Sequence, residues 1–176
     1  MTVRDVCRSL TRHPVRHLVY EWNWKNALFT AVVRGALFFA TNLVDGLPAA
    51  WQAFLVDAAF RVPLSGITAA MTQALARAQP QWAAFVVIVG VVPAAGHVIE
   101  LSAHWMAGTP QLRASVIASI AFTAVSALFN LYSMRRGVFL VGAAARPFRE
   151  DLQRLPALLL DFVLTPARVA ACRLKP

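Results

Sequence analysis

The sequence predicts an all-α, polytopic membrane protein: a four-helix transmembrane bundle with an interfacial amphipathic helix at each end. Three observations carry this. Hydrophobic residues make up 59% of the chain and charged residues only 14%, where soluble domains carry about a quarter charged. Mean hydropathy is +0.58. The charges are also segregated. Of 17 Lys and Arg, five lie between Arg4 and Lys25 and eight between Arg135 and Lys175, while residues 26–134 hold only Arg34, Arg61, Arg77 and Arg113. Basic blocks flanking long apolar stretches are the signature of membrane orientation.

Residues 1–25 read as a basic amphipathic segment. Val3, Val6, Cys7 and Leu10 recur at helical spacing and Arg4, Arg8 and Arg12 take another face, the pattern of a helix lying on a membrane surface. Pro14 ends it, and Tyr20, Trp22 and Trp24 follow as headgroup-level aromatics. About 25 mostly polar residues before the first apolar run, with no small-residue cleavage site after it, make that run a retained signal anchor rather than a cleaved leader.

Four spans are expected within residues 26–134, at 26–44, 51–78, 82–106 and 112–134, near the ~20 residues a crossing needs. Turns separate them at Asp45-Gly46-Leu47-Pro48, Pro80 and Ala107-Gly108-Thr109-Pro110. The second segment contains Asp57, Arg61, Pro63 and Gly66, and parity decides it. Both basic flanks should be cytoplasmic, so the crossings between them must be even in number. Pro93 is expected to kink the third span. In the tail, 135–176, Phe148, Leu152, Leu155, Leu159 and Phe162 form an apolar stripe with Arg149, Asp151 and Arg154 off it. Pro156 and Pro166 are expected to bend or break that helix.

Each span carries a polar or small-residue stripe: Thr30, Arg34 and Thr41; Asp57, Arg61, Ser65, Thr68 and Thr72; Gly90, His97, Glu100 and His104; Ser115, Ser119, Thr123, Ser126 and Asn130. Lipid offers such groups no partner, so these faces should turn inward or line a wet cavity. Arg34, Asp57, Arg61, His97, Glu100, His104 and Asn130 are therefore the candidate intramembrane polar residues. Asp57 and Arg61, four apart on one face, can pair, and Arg34 with Glu100 is the natural second pair. His97, Glu100 and His104 share a face and are the only candidate metal ligands. The histidines stand about 10 Å apart along the axis, however, so no metal or cofactor is expected, and an axial haem ligand at His97 has little to support it.

Cys7 and Cys172 sit in the two flanks, where a cytoplasmic setting disfavours a disulfide. Phosphate-cradling loops, nucleophile elbows, zinc helices and dinucleotide fingerprints are absent from the sequence. Despite a pI near 11.2, nucleic-acid binding is not expected, because that needs a basic, solvated face on a folded module. The reading is a multi-pass protein of the inner (plasma) membrane, bacterial in its Ala- and Arg-rich usage, with N and C termini cytoplasmic. Its expected role is a non-catalytic membrane subunit or scaffold that contacts protein partners or its own copies and the anionic cytoplasmic leaflet. The alternatives are a small oligomeric transporter or channel using the intramembrane charges, and a lipid-acting enzyme centred on His97, Glu100 and His104.

Overall fold

The computed structural model describes residues 1–98, 112–143 and 145–173, with side chains 37, 38, 53, 56, 57, 60, 112–119 and 167–173 left out. Six helices account for most of it: α1 (Val3–Arg12), α2 (Trp24–Asn42), α3 (Leu47–Leu75), α4 (Gln81–Val98), α5 (Leu112–Arg135) and α6 (Phe148–Arg173). Among the described residues there is no strand, only one isolated parallel bridge, Thr2 to Gln79.

The helix ends follow from local chemistry. Thr2 starts α1 with a capping box: its hydroxyl accepts from the Asp5 amide at 3.2 Å and the Asp5 carboxylate accepts from the Thr2 amide at 3.1 Å, so two otherwise orphaned donors are satisfied reciprocally. Asn23 caps α2 by accepting from the Asn26 amide at 3.0 Å. A single 3-10 turn, Leu43–Asp45, and Gly46 at φ +100° reverse the chain into α3. That is a backbone angle glycine reaches without a Cβ clash.

α2 and α3 therefore run antiparallel and lie side by side. A Cβ on Gly35 of α2 would fall 2.5 Å from the Phe54 ring of α3, and one on Gly66 of α3 would fall 2.0 Å from the indole nitrogen of Trp22, just ahead of α2. That indole donates to the Pro63 carbonyl at 3.2 Å, and the Asn23 amide donates to the Gly66 carbonyl at 3.3 Å. The strand of chain leading into α2 is thus pinned to the middle of α3. In α4 a π segment, Val87–Val91, stands just ahead of Pro93. Proline cannot donate to the ladder, and the wider π turn is a common way for a helix to absorb such a defect.

Buried residues concentrate at one end of the bundle. Val6 and Leu10 of α1 pack with Leu75, Ile88, Leu131 and Met134 on the feet of α3, α4 and α5. The Val3 amide donates to the Gln79 carbonyl at 2.8 Å, anchoring α1 to the α3–α4 turn. The apolar face of α1 is thus covered largely by the chain's own core. α6 crosses from the foot of α2 to the foot of α5, with Leu158 buried and Phe148, Leu155 and Phe162 packed beside Phe129 and Phe139. Two features of α6 differ from the sequence expectation. Pro156 and Pro166 lie inside one uninterrupted helix. The covered stripe is also rotated, so that Leu152 and Leu159 are exposed and Asp151 is fully buried.

Two helical stretches among the described residues are long and apolar enough to cross a membrane, Trp24–Asp45 and Gln81–Val98. Only 19% and 11% of their most apolar windows are buried within the chain, and a core helix of a soluble protein would be mostly covered.

Gly66→Ala should force Trp22 out of its seat and cost about 1–3 kcal/mol, the usual range for overpacking. Gly90→Ala, with open space around its Cβ position, should not lower the thermal unfolding midpoint in detergent. The Asp5 pKa lies below its ordinary 3.8, chiefly because the Thr2 hydroxyl bonds the carboxylate. A depressed folded-state value means that the cap stabilises α1 above about pH 3.8 and stops doing so as pH falls through the lower value. Amide exchange in α1 should speed up over that window, and Thr2→Ala should flatten the dependence.

Candidate functional site

The most highly organised polar constellation sits at the buried end, where α2 begins and α3 and α5 end. Lys25 lies in the first turn of α2, with its side chain 3% exposed, and forms an ion pair with Asp151 Oδ2 at 2.7 Å. Asp151 is 0% exposed. The Lys25 ammonium also donates to the Arg146 carbonyl, which fixes the approach to α6. Asp151 Oδ1 and the Asn26 carboxamide have no hydrogen-bond partner among the described residues. Satisfaction of the buried charges is therefore incomplete.

Beside this pair, Gln73 of α3 acts as a backbone mimic for the loop after α5. Its carboxamide accepts from the Val141 amide and donates to the Val141 carbonyl, each at 3.0 Å. Asn23 donates to the Gln73 oxygen at 3.2 Å and to the Phe139 carbonyl at 2.8 Å. These bonds hold a loop with a non-glycine residue in the left-handed region, Phe139 at φ 58°. The ~1–2 kcal/mol such a conformation costs is offset by full burial of the ring. Phe139 stacks on Phe29, centroids 5.0 Å apart, and lies near Phe148 at 6.2 Å. Arg135 completes the clamp by donating to the Ala76 carbonyl at 3.0 Å, past the C-terminus of α3, where a cation also suits the helix dipole.

A second polar group ties α6 to α5. The Tyr132 hydroxyl donates to Asp161 Oδ2 at 2.8 Å, and Arg136 pairs with the same oxygen while lying 4.2 Å over the Tyr132 ring. A third straps α1 to the chain after it. Ser9 Oγ meets His17 Nε2 at 2.8 Å and His17 Nδ1 meets Glu21 at 2.8 Å. That order of groups also serves acyl transfer in hydrolases. Here Glu21 is about half exposed and also 3.7 Å from Arg16, and Ser9 lies within α1, so the trio acts as a strap between α1 and the π turn Arg16–Tyr20.

Of the intramembrane candidates, Arg34, Arg61 and His97 lie away from the buried end, while Asn130 sits at the foot of α5 between the buried Phe129 and Leu131. Arg34, Arg61, His97 and Asn130 are half-buried. Arg34 lies 4.7 Å over the Phe122 ring of α5, an attraction between cation and ring quadrupole. Arg34, Arg61 and His97 all have interaction partners. The Asp57 side chain, Glu100 and His104 lie outside the described residues, as do the expected Asp57–Arg61 and Arg34–Glu100 pairs and the metal-ligand face. The three hydroxyls of the α3 stripe bond to their own helix's backbone. Ser65 donates to the Arg61 carbonyl at 2.7 Å, Thr68 to Ser65 at 3.1 Å and Thr72 to Thr68 at 2.9 Å, the back-bonding typical of hydroxyls within helices. Asn130 contributes its carbonyl to Ser133 at 2.9 Å.

Sequence reasoning did not single out Asn23, Lys25, Gln73 or Asp151. One signal was present: Lys25 is the only lysine before residue 175 in a chain of 15 arginines. No protein-family model, curated protein or solved structure matches the chain.

Breaking the buried pair from one side should be costly. Lys25→Met or Asp151→Leu alone should lower unfolding stability by roughly 3–5 kcal/mol, because each strands a buried charge. The double variant should recover most of that loss, since Asp151 Oδ1 would no longer be left unpaired. Denaturant unfolding of all four proteins in one detergent forms the cycle that checks this.

Proposed function

We propose that the chain is an integral membrane protein that crosses four times with both termini on the cytoplasmic side. In this reading it works as a non-catalytic subunit or scaffold through its helix surfaces and its cytoplasmic platform. Four crossings are supported by the lengths of α3 and α5. At 29 and 24 residues and 1.5 Å per residue they reach about 44 and 36 Å, against a hydrocarbon core of about 30 Å. No charged residue lies between Arg113 and Arg135. Exposed aromatics stand at helix ends, as headgroup-level residues would: Tyr20, Trp24 and Trp82 at the buried end and Trp51 near the start of α3.

The observation that carries the scaffold reading is where the organised polar groups are spent. Lys25, Asp151, Asn23, Gln73 and Arg135 all bind the chain's own elements, as do the hydroxyls of α3. Meanwhile Leu28, Val32, Val33, Phe85, Val86 and Val125 stay exposed along the helices, as lipid-facing or partner-facing residues would be. Half-buried Arg34 and Arg61 keep a second reading open, an oligomeric pathway for an anion or a proton.

In intact cells an impermeant maleimide should leave Cys7 and Cys172 unlabelled until the membrane is permeabilised; labelling of either from outside contradicts the topology. Native mass spectrometry of protein extracted gently from its own membrane should show stoichiometric association with other polypeptides. A lone monomer or homo-oligomer would contradict the subunit reading and point to flux through the charged half.

A further inference from the structure

Beside the Tyr132–Asp161–Arg136 group an open groove of about 400 Å³ runs along α6, bordered by Arg136, Val138, Arg154, Ala157, Leu160 and Asp161. Its size falls within the ~300–1,000 Å³ of small-ligand clefts. Its lining divides into two chemistries. Arg154 is exposed. Asp161 pairs with Arg136 and accepts from the Tyr132 hydroxyl, so the charged lining residues Arg136, Arg154 and Asp161 sum to one net positive charge. Ala157 and Leu160 form the apolar part, and Leu160, Val163 and Leu164 continue it as exposed residues along α6. A cation at one end and an exposed apolar strip at the other match a molecule with an anionic head and a hydrocarbon tail.

We propose that this groove binds one anionic phospholipid of the cytoplasmic leaflet, its phosphate on Arg154 and its upper acyl chain along Ala157 and Leu160, with the Asp161-paired Arg136 at the groove's border. The proposal rests on the membrane reading above and deepens it: the lipid occupies a defined seat between α6 and the foot of α5 rather than a diffuse cationic surface. Charge complementarity selects the head, and the apolar strip selects a lipid over a soluble anion. Basic pockets at helix feet on the cytoplasmic side are a recurrent way to recognise such heads. Asp161 tunes the seat, because its carboxylate opposes the incoming phosphate and occupies Arg136.

The test uses the full chain reconstituted in nanodiscs of equal phosphatidylglycerol and phosphatidylcholine, with retained lipid read by native mass spectrometry after transfer to mild detergent. Wild type should retain one phosphatidylglycerol in preference to phosphatidylcholine. Arg154→Gln should reduce that preference about fivefold, the factor one basic residue supplies near an anionic surface. Arg149→Gln, on the same helix but outside the groove, should leave it unchanged, and Asp161→Asn should raise it. Circular dichroism confirms that each variant keeps its helix content. Equal loss with Arg149→Gln and Arg154→Gln, or release of the lipid by inorganic phosphate alone, would overturn the seat. Flotation with pure phosphatidylcholine vesicles separates the two claims: a chain that floats there but shows no lipid preference retains the membrane reading and loses the seat, and one that fails to float loses both.

Discussion

A buried ammonium and a buried carboxylate must find each other, and in this protein that requirement joins the two ends of the chain. Lys25 stands at the start of the first long helix and Asp151 at the start of the last, 126 residues apart. Neither tolerates burial alone, because an unpaired charge in a low-dielectric interior costs several kcal/mol. The pairing can form only when α6 lies across the foot of α2. From that placement follow the packing of Phe148 and the burial of Leu158, the seating of Phe139 against Phe29, and the position of Asp161 beside Tyr132.

The clamp also explains why the two halves of the bundle differ. At the buried end, side-chain amides, one lysine and one arginine supply partners that loop backbone lacks: Gln73 completes Val141, Asn23 holds Phe139, Lys25 bonds the Arg146 carbonyl, and Arg135 satisfies the end of α3. Apolar packing by α1 and α6 closes over them. Toward the other end the described helices present Leu43, Val44, Leu47, Trp51 and Val98 outward, and charged side chains sit among them at Arg34 and Arg61. Stability concentrated at one end leaves the other to be held by whatever solvates it. In the membrane reading proposed above, that is lipid or another subunit.

The helices themselves were legible from the sequence because their signals are local. Apolar length, the Gly46 turn and the amphipathic period of residues 3–12 each act within a few residues, and α1, α2 and the α2–α3 turn form where those signals place them. What was not legible depends on contacts distant in sequence. Asp151 reads as a solvated residue off an apolar stripe, because nothing in its neighbourhood reveals a lysine waiting 126 residues upstream. The rotated stripe of α6 has the same origin, since turning Asp151 inward swings Leu152 and Leu159 out. Pro156 and Pro166 do not interrupt α6, although an interior proline removes a ladder hydrogen bond. The α3 hydroxyls illustrate the converse limit: a polar stripe predicts an inward face, but carbonyls one turn away can satisfy it with no cavity at all.

The claim at the centre of this account is that the Lys25–Asp151 pair holds α6 against the bundle. Hydrogen exchange of α6 amides in nanodiscs measures this directly, comparing wild type with Lys25→Met. The account predicts that residues 148–162 lose protection in the variant while α2 and α3 stay protected, so that α6 releases before the bundle opens. Unchanged protection across α6 would mean that its aromatic contacts suffice without the ion pair, and the central claim would be wrong.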